Sequence, residues 1–170
     1  MNTKIQQPTK QRERSNFLYV VMSICLLCIL PAASTTAEVI KENIPLQWNL
    51  VAKWFIFWAV GIRLFTAGLS QAANPEFTAR EIFRFMSKDS YVVIRELGFA
   101  NIALGAMGIL SVINEHWRLL AAIISSIFFG FAALQHFSKK PDTSNEFVAL
   151  VYDTSVFIIL IVFTVIAFPL

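Results

Sequence analysis

Seven side chains with polar chemistry lie inside or at the edge of apolar runs: Arg63, Glu96, Asn101, Gln135, His136, Glu146 and Asp153. Away from water a guanidinium seeks an anion, a carboxylate seeks a cation or a proton, and an imidazole titrates nearest to neutral pH. Arg63 with Asp153 is the expected ion pair, and His136 the nearest group able to exchange a proton. An unpaired charge at the centre of an apolar helix costs about 2.5–3.5 kcal/mol on insertion scales. An interior pair is therefore expected, with snorkelling of the Arg63 side chain to the headgroups as the alternative. Cys25-Leu-Leu-Cys28 has the spacing of a thiol–disulfide motif, yet an apolar helix opposes thiolate formation, so two ordinary buried cysteines are expected. No nucleophile with an oriented base, phosphate loop or closed metal-ligand set is visible. The reading leans away from an enzyme, with no catalytic residue, cofactor or metal expected.

The elements that position these groups are membrane helices. The chain is 56% apolar with 16 Phe in 170 residues and a mean hydropathy of +0.63, too apolar for a soluble domain of this size. Five runs, Phe17 to Ala33, Leu50 to Leu69, Tyr91 to Ile113, Trp117 to Phe137 and Phe147 to Phe168, approach the length of about 17–25 residues that crosses a hydrocarbon core. The fold class is all-α, an integral membrane helical bundle with a four-helix core at 48–170 and an additional N-terminal signal-anchor helix. The net charge of +3 follows the distribution of basic residues among the loops and points to the lipid bilayer, with no nucleic acid as partner.

Residues 1–16 form a basic N-terminus that places itself in the cytoplasm, since Lys4, Lys10, Arg12 and Arg14 face a single acid, Glu13. Residues 17–37 read either as a retained anchor or as a cleavable signal peptide ending in the small residues Pro31-Ala-Ala-Ser-Thr-Thr-Ala37; retention is the expectation. Trp48, Trp54 and Trp58 suit a headgroup belt. The stripe Ala59, Arg63, Thr66, Ser70 gives the second helix a small, polar face. Asn74-Pro75 ends that helix, and Thr78-Ala-Arg-Glu81 has capping-box spacing, so a short amphipathic interfacial helix is expected near 78–88.

The third helix carries Arg95-Glu-Leu-Gly-Phe-Ala-Asn101. At 3.6 residues per turn Gly98, Asn101, Gly105 and Gly108 share one sector, a surface for close helix packing within the monomer or in a homodimer. Asn101 there must be hydrogen-bonded to a neighbouring helix or a ligand. Glu96 falls outside that sector, facing another helix or the interface. Glu115, His116 and Arg118 make a tight turn joining antiparallel third and fourth helices, and Ser125, Phe129, Ala132 and His136 form a stripe on the fourth. With the N-terminus inside, the polar residues converge in the inner half of the membrane.

The motif Arg95-Glu-Leu-Gly-Phe-Ala-Asn101, with Arg63-Leu-Phe-Thr-Ala-Gly68, Asn74-Pro-Glu-Phe-Thr78, Ala132-x-x-x-His136 and Tyr152-Asp153, resembles a family of small bacterial integral membrane proteins of unknown function. More distantly the chain is similar to DoxX-type four-helix membrane proteins. The resemblance covers roughly Leu50 to the C-terminus; it implies an inner-membrane bundle and, through DoxX, an accessory or redox-associated subunit.

Three functions fit. The leading expectation is a small subunit or binding protein with a cytoplasm-facing polar pocket for a lipid, quinone or small anion, lined by Arg63, Glu96, Asn101, His136 and Asp153. The others are a proton-coupled carrier or channel, and a structural partner in a larger membrane complex.

Overall fold

The computed structural model describes residues 10–82, 87–139 and 144–167. The first nine residues of the basic N-terminus, the stretch 83–86 of the expected amphipathic helix, and the turn 140–143 lie outside them. Five helices are long and apolar enough to cross a membrane: α1 (Phe17–Glu42), α2 (Trp48–Ala73), α3 (Ser90–Leu110), α4 (Glu115–Lys139) and α5 (Ser144–Ile166). The described residues form an all-α bundle.

α1 runs through the small residues that resemble a cleavage region and ends only at Glu42. It tolerates Pro31 by widening the turn before it. Pro31 has no amide and its ring crowds the carbonyl one turn back, so the stretch Cys25–Ile29 is π-type, with the Leu30 amide reaching the Cys25 carbonyl. Cys25 is half-buried and Cys28 exposed, a correction to the expectation that both are buried. Asn43 takes the left-handed conformation, φ 49°, that ends the helix, its amide bonded to the Val39 carbonyl.

α2 and α3 meet backbone to backbone. A Cβ on Gly108 would lie 2.8 Å from the Gly61 Cα, one on Gly98 2.8 Å from the Ala72 amide nitrogen, and one on Gly105 against the Phe65 backbone. Without a hydrophobic effect between helices in lipid, such close approach supplies the dispersion contact that holds the pair together. α4 and α5 form the second close pair, and the four surround a core of Ile56, Ala59, Val60, Leu64, Phe129, Tyr152, Val156 and Leu160. α1 lies along α2 and also touches α5.

A second wide turn, Ile56–Ile62, interrupts α2. It breaks the expected stripe: Ala59 is buried and Arg63 half-buried, but Thr66 and Ser70 are exposed, and Leu64 and Gly68 turn inward instead. A uniform period of 3.6 cannot be carried across a π turn, whose extra residue shifts the register beyond it. α2 ends as expected at Asn74-Pro75. The cap differs from the expected one, because Asn74 Oδ1 accepts the Phe77 amide at 3.2 Å and the chain turns helical at Pro75. Thr78, 2% exposed, opens a third wide turn, Thr78–Ile82. Pro at the first helical position fixes φ with no amide to lose, which favours the earlier start.

Candidate functional site at Arg63

Arg63 follows the wide turn of α2 and meets α1 and α5 there. Its guanidinium lies between two rings, 5.5 Å from the centroid of Tyr19 and 5.3 Å from that of Tyr152, and Nη2 donates to the Tyr19 hydroxyl at 3.0 Å. The ring faces attract the cation and the hydroxyl satisfies one donor. Arg63 Nε is buried without a partner.

The wide turn also sets the second ring. In a regular α-helix the Arg63 amide would bond to the Ala59 carbonyl; here it reaches Trp58 and Val60 instead. The Ala59 carbonyl accepts the buried Tyr152 hydroxyl at 2.9 Å. The sequence thus places an irregular turn, a tyrosine hydroxyl and an arginine within one turn of each other, and each answers a need the others create.

Asp153 turns the other way. One residue along α5 rotates the side chain about 100° from Tyr152, and the carboxylate Oδ2 lies 3.7 Å from His136 Nε2 on α4. No ion pair joins Arg63 to Asp153 among the described residues, a correction to the pairing expected from sequence. The physical reason is that Tyr19 and Tyr152 occupy both sides of the guanidinium while Asp153 points between α4 and α5.

The seven polar residues resolve into separate groups. Besides Arg63 with its tyrosines and His136 with Asp153, Lys139 Nζ lies 3.5 Å from Glu146 Oε1. Asn101, 4% exposed, donates through Nδ2 to Gln71 Oε1 at 2.8 Å across the glycine contact of α2 and α3; its Oδ1 is buried without a partner. Glu96 and Gln135 are exposed and join none of these groups. Gly98, Gly105 and Gly108 are filled by α2 of the same chain.

At the other end of the bundle lie polar contacts that periodicity did not reveal. Glu38 accepts Lys53 Nζ at 2.7 and 2.8 Å and Trp54 Nε1 at 2.7 Å, and Trp58 Nε1 donates to Ser34 Oγ at 2.9 Å. Two tryptophans expected in the headgroup belt are thus hydrogen-bonded to α1. Their i, i+4 spacing opposite Ser34 and Glu38, also i, i+4, was the signal available in the sequence. Arg118, expected at a solvated turn, is only 6% exposed and donates to Asn49 Oδ1 at 2.6 Å. Two open clefts lie at this end, one of about 440 Å³ between α2, α4 and α5 and one of about 470 Å³ between α1 and α2. At Arg63 itself the tyrosine rings occupy the space beside the cation.

Five apolar helices with ionisable side chains turned into the bundle define a small multi-span membrane protein. Within that class, the chain belongs to the family of unknown function DUF6790, whose model matches residues 15–169. The match takes in α1, so the family likeness extends well before Leu50, where the motifs alone began it. No curated protein and no solved structure matches the chain.

Proposed function

We propose that this protein is a small accessory or binding subunit of a membrane, with Arg63 as the group that meets an anionic or strongly hydrogen-bond-accepting ligand. A lipid headgroup, a quinone carbonyl or a small anion has the required chemistry. The observation that carries the reading is the state of the Arg63 charge: among the described residues no carboxylate lies within 4 Å, and its Nε has no acceptor. A desolvated cation in that state gains from an acceptor far more than a surface arginine does.

In this reading the Arg63 end faces the cytoplasmic side of an inner membrane, as the distribution of basic residues among the loops favours, and α1 serves as a retained anchor. Its hydrogen bonds before, within and after the cleavage-like residues, through Tyr19, Ser34 and Glu38, support retention.

A structural reading has its own support, because Tyr19 and Tyr152 hold Arg63 on both faces as a packing device between α1, α2 and α5. Arg63→Gln separates the two. The purified variant and the wild type are compared by thermal unfolding in detergent and by mass spectrometry of copurifying small molecules. A binding site loses a specific lipid, quinone or anion while the fold persists. Unchanged copurifying molecules with a collapsed melting temperature leave the structural reading alone.

A further inference from the structure

The cleft at the opposite end of the bundle has a buried cation in its wall. It opens where α2 and α4 begin and α5 ends, and Trp48, Asn49, Glu115, His116, Arg118 and Phe163 line it together with Leu119 and Ile166. Arg118 is its buried cation. It reaches the cleft at 6% exposure, with Nη1 held by Asn49 Oδ1 and Nε buried without a partner. The first turn of α4 lies beside it, where backbone amides give the helix end a partial positive charge. Asn114 Oδ1 already caps the His116 amide at 3.0 Å, so the arginine is the main attraction for an anion.

The rest of the lining supplies the complementary parts of an amphiphile. Phe163 and Ile166 on α5 offer apolar surface running down into the bilayer, and Trp48, 63% exposed, stands at the rim as an interfacial tryptophan does. Glu115 and His116 are exposed at the mouth. A carboxylate next to an anion site opposes a simple polyanion and favours a headgroup that carries a cation just beyond its phosphate.

We propose that this cleft binds a phospholipid whose phosphate sits on Arg118 and His116, whose ammonium faces Glu115, and whose acyl chain lies against Phe163 and Ile166. The chemistry is that of phosphoethanolamine. This site is independent of Arg63, which lies toward the other end of α2.

Native mass spectrometry of delipidated full-length protein tests it, with phosphatidylethanolamine, phosphatidylglycerol and inorganic phosphate each titrated as a probe. Phosphatidylethanolamine should bind most tightly. Loss of a charge-assisted contact in Arg118→Gln should weaken it about tenfold. Glu115→Gln should remove the preference over phosphatidylglycerol, and Gln135→Ala, at an exposed position near the other end of α4, should leave binding unchanged. Glu115 and His116 are exposed, so Glu115→Gln and His116→Ala keep the test open if Arg118→Gln does not fold. Equal binding of both lipids to wild type, occupancy by inorganic phosphate in preference to lipid, or lipid affinity indifferent to Glu115→Gln and His116→Ala each overturns the proposal.

Discussion

The Arg63 guanidinium donates to the Tyr19 hydroxyl at 3.0 Å, so the first helix is held to the second by a cation that has no carboxylate within 4 Å among the described residues. The same cation stacks on Tyr152 of the last helix. One side chain thereby joins the beginning, the middle and the end of the chain, and its removal is felt by three helices.

Tyr19→Phe keeps the ring and deletes the hydroxyl. Interhelical hydrogen bonds in membranes measure about 0.6 kcal/mol on average and reach about 1.7 kcal/mol. A charged donor belongs at the upper end, so a loss of about 1–2 kcal/mol is expected. Tyr19→Ala should cost more, because the cation–ring contact goes as well. Reversible unfolding in detergent mixtures measures both; equal losses for Phe and Ala would show that the ring contributes nothing.

Gly105→Ala should be the most damaging of the glycine substitutions. The new methyl meets the backbone of Phe65, which cannot move aside without separating α2 from α3. Overpacking of this kind costs about 1–3 kcal/mol or more. Gly130→Ala meets only the ring edge of Phe157, at 2.9 and 3.0 Å, and a side chain can rotate away. Thermal stability should rank Gly105→Ala well below Gly130→Ala, and the reverse order would contradict the observed α2–α3 contact.

Glu38→Ala should loosen the other end of α1. It leaves the Lys53 ammonium, 18% exposed, and the Trp54 indole without their acceptor. An unpaired buried donor costs about 1–3 kcal/mol, more when charged. The expected outcome in cells is faster loss of an N-terminal tag from the variant than from the wild type, since freeing α1 exposes the small residues near Ala37 to proteolysis. A tag lost equally from both would argue against retention of α1 through these contacts.

Asn101→Leu should destabilise more than the double variant Asn101→Leu with Gln71→Leu. The single change strands the Gln71 amide oxygen beside an apolar side chain, whereas the double removes both polar partners. A double-mutant cycle by unfolding measures the difference. Additive losses would mean that the 2.8 Å hydrogen bond carries no coupling.

How much of the site was legible depended on what each residue needed. Asn101 announced itself, because a lone amide in a glycine face must be bonded, and the glycine sector had only helix packing to serve. Tyr19 did not, since a tyrosine near the end of an apolar helix is ordinary and nothing local says which cation it meets. Arg118 was hidden for a related reason: three polar residues within four positions at a helix start read as a turn until the neighbouring helix ends close over one of them. The shift at Thr66 and Ser70 came from a wide turn that no spacing rule anticipates.

The sequence by itself determined the five apolar spans, their order, the α2 terminus at Asn74-Pro75 and the close-packing face of α3. Each follows from local composition or from a period short enough to be read within one helix. Only the tertiary structure decided which charges meet. Arg63 chose two tyrosines over Asp153, Asp153 chose His136, and Arg118 turned inward to Asn49. Those choices depend on helix rotation, and rotation is set by contacts between segments far apart in the chain, where Gly61 meets Gly108 and the Tyr152 hydroxyl meets the Ala59 carbonyl.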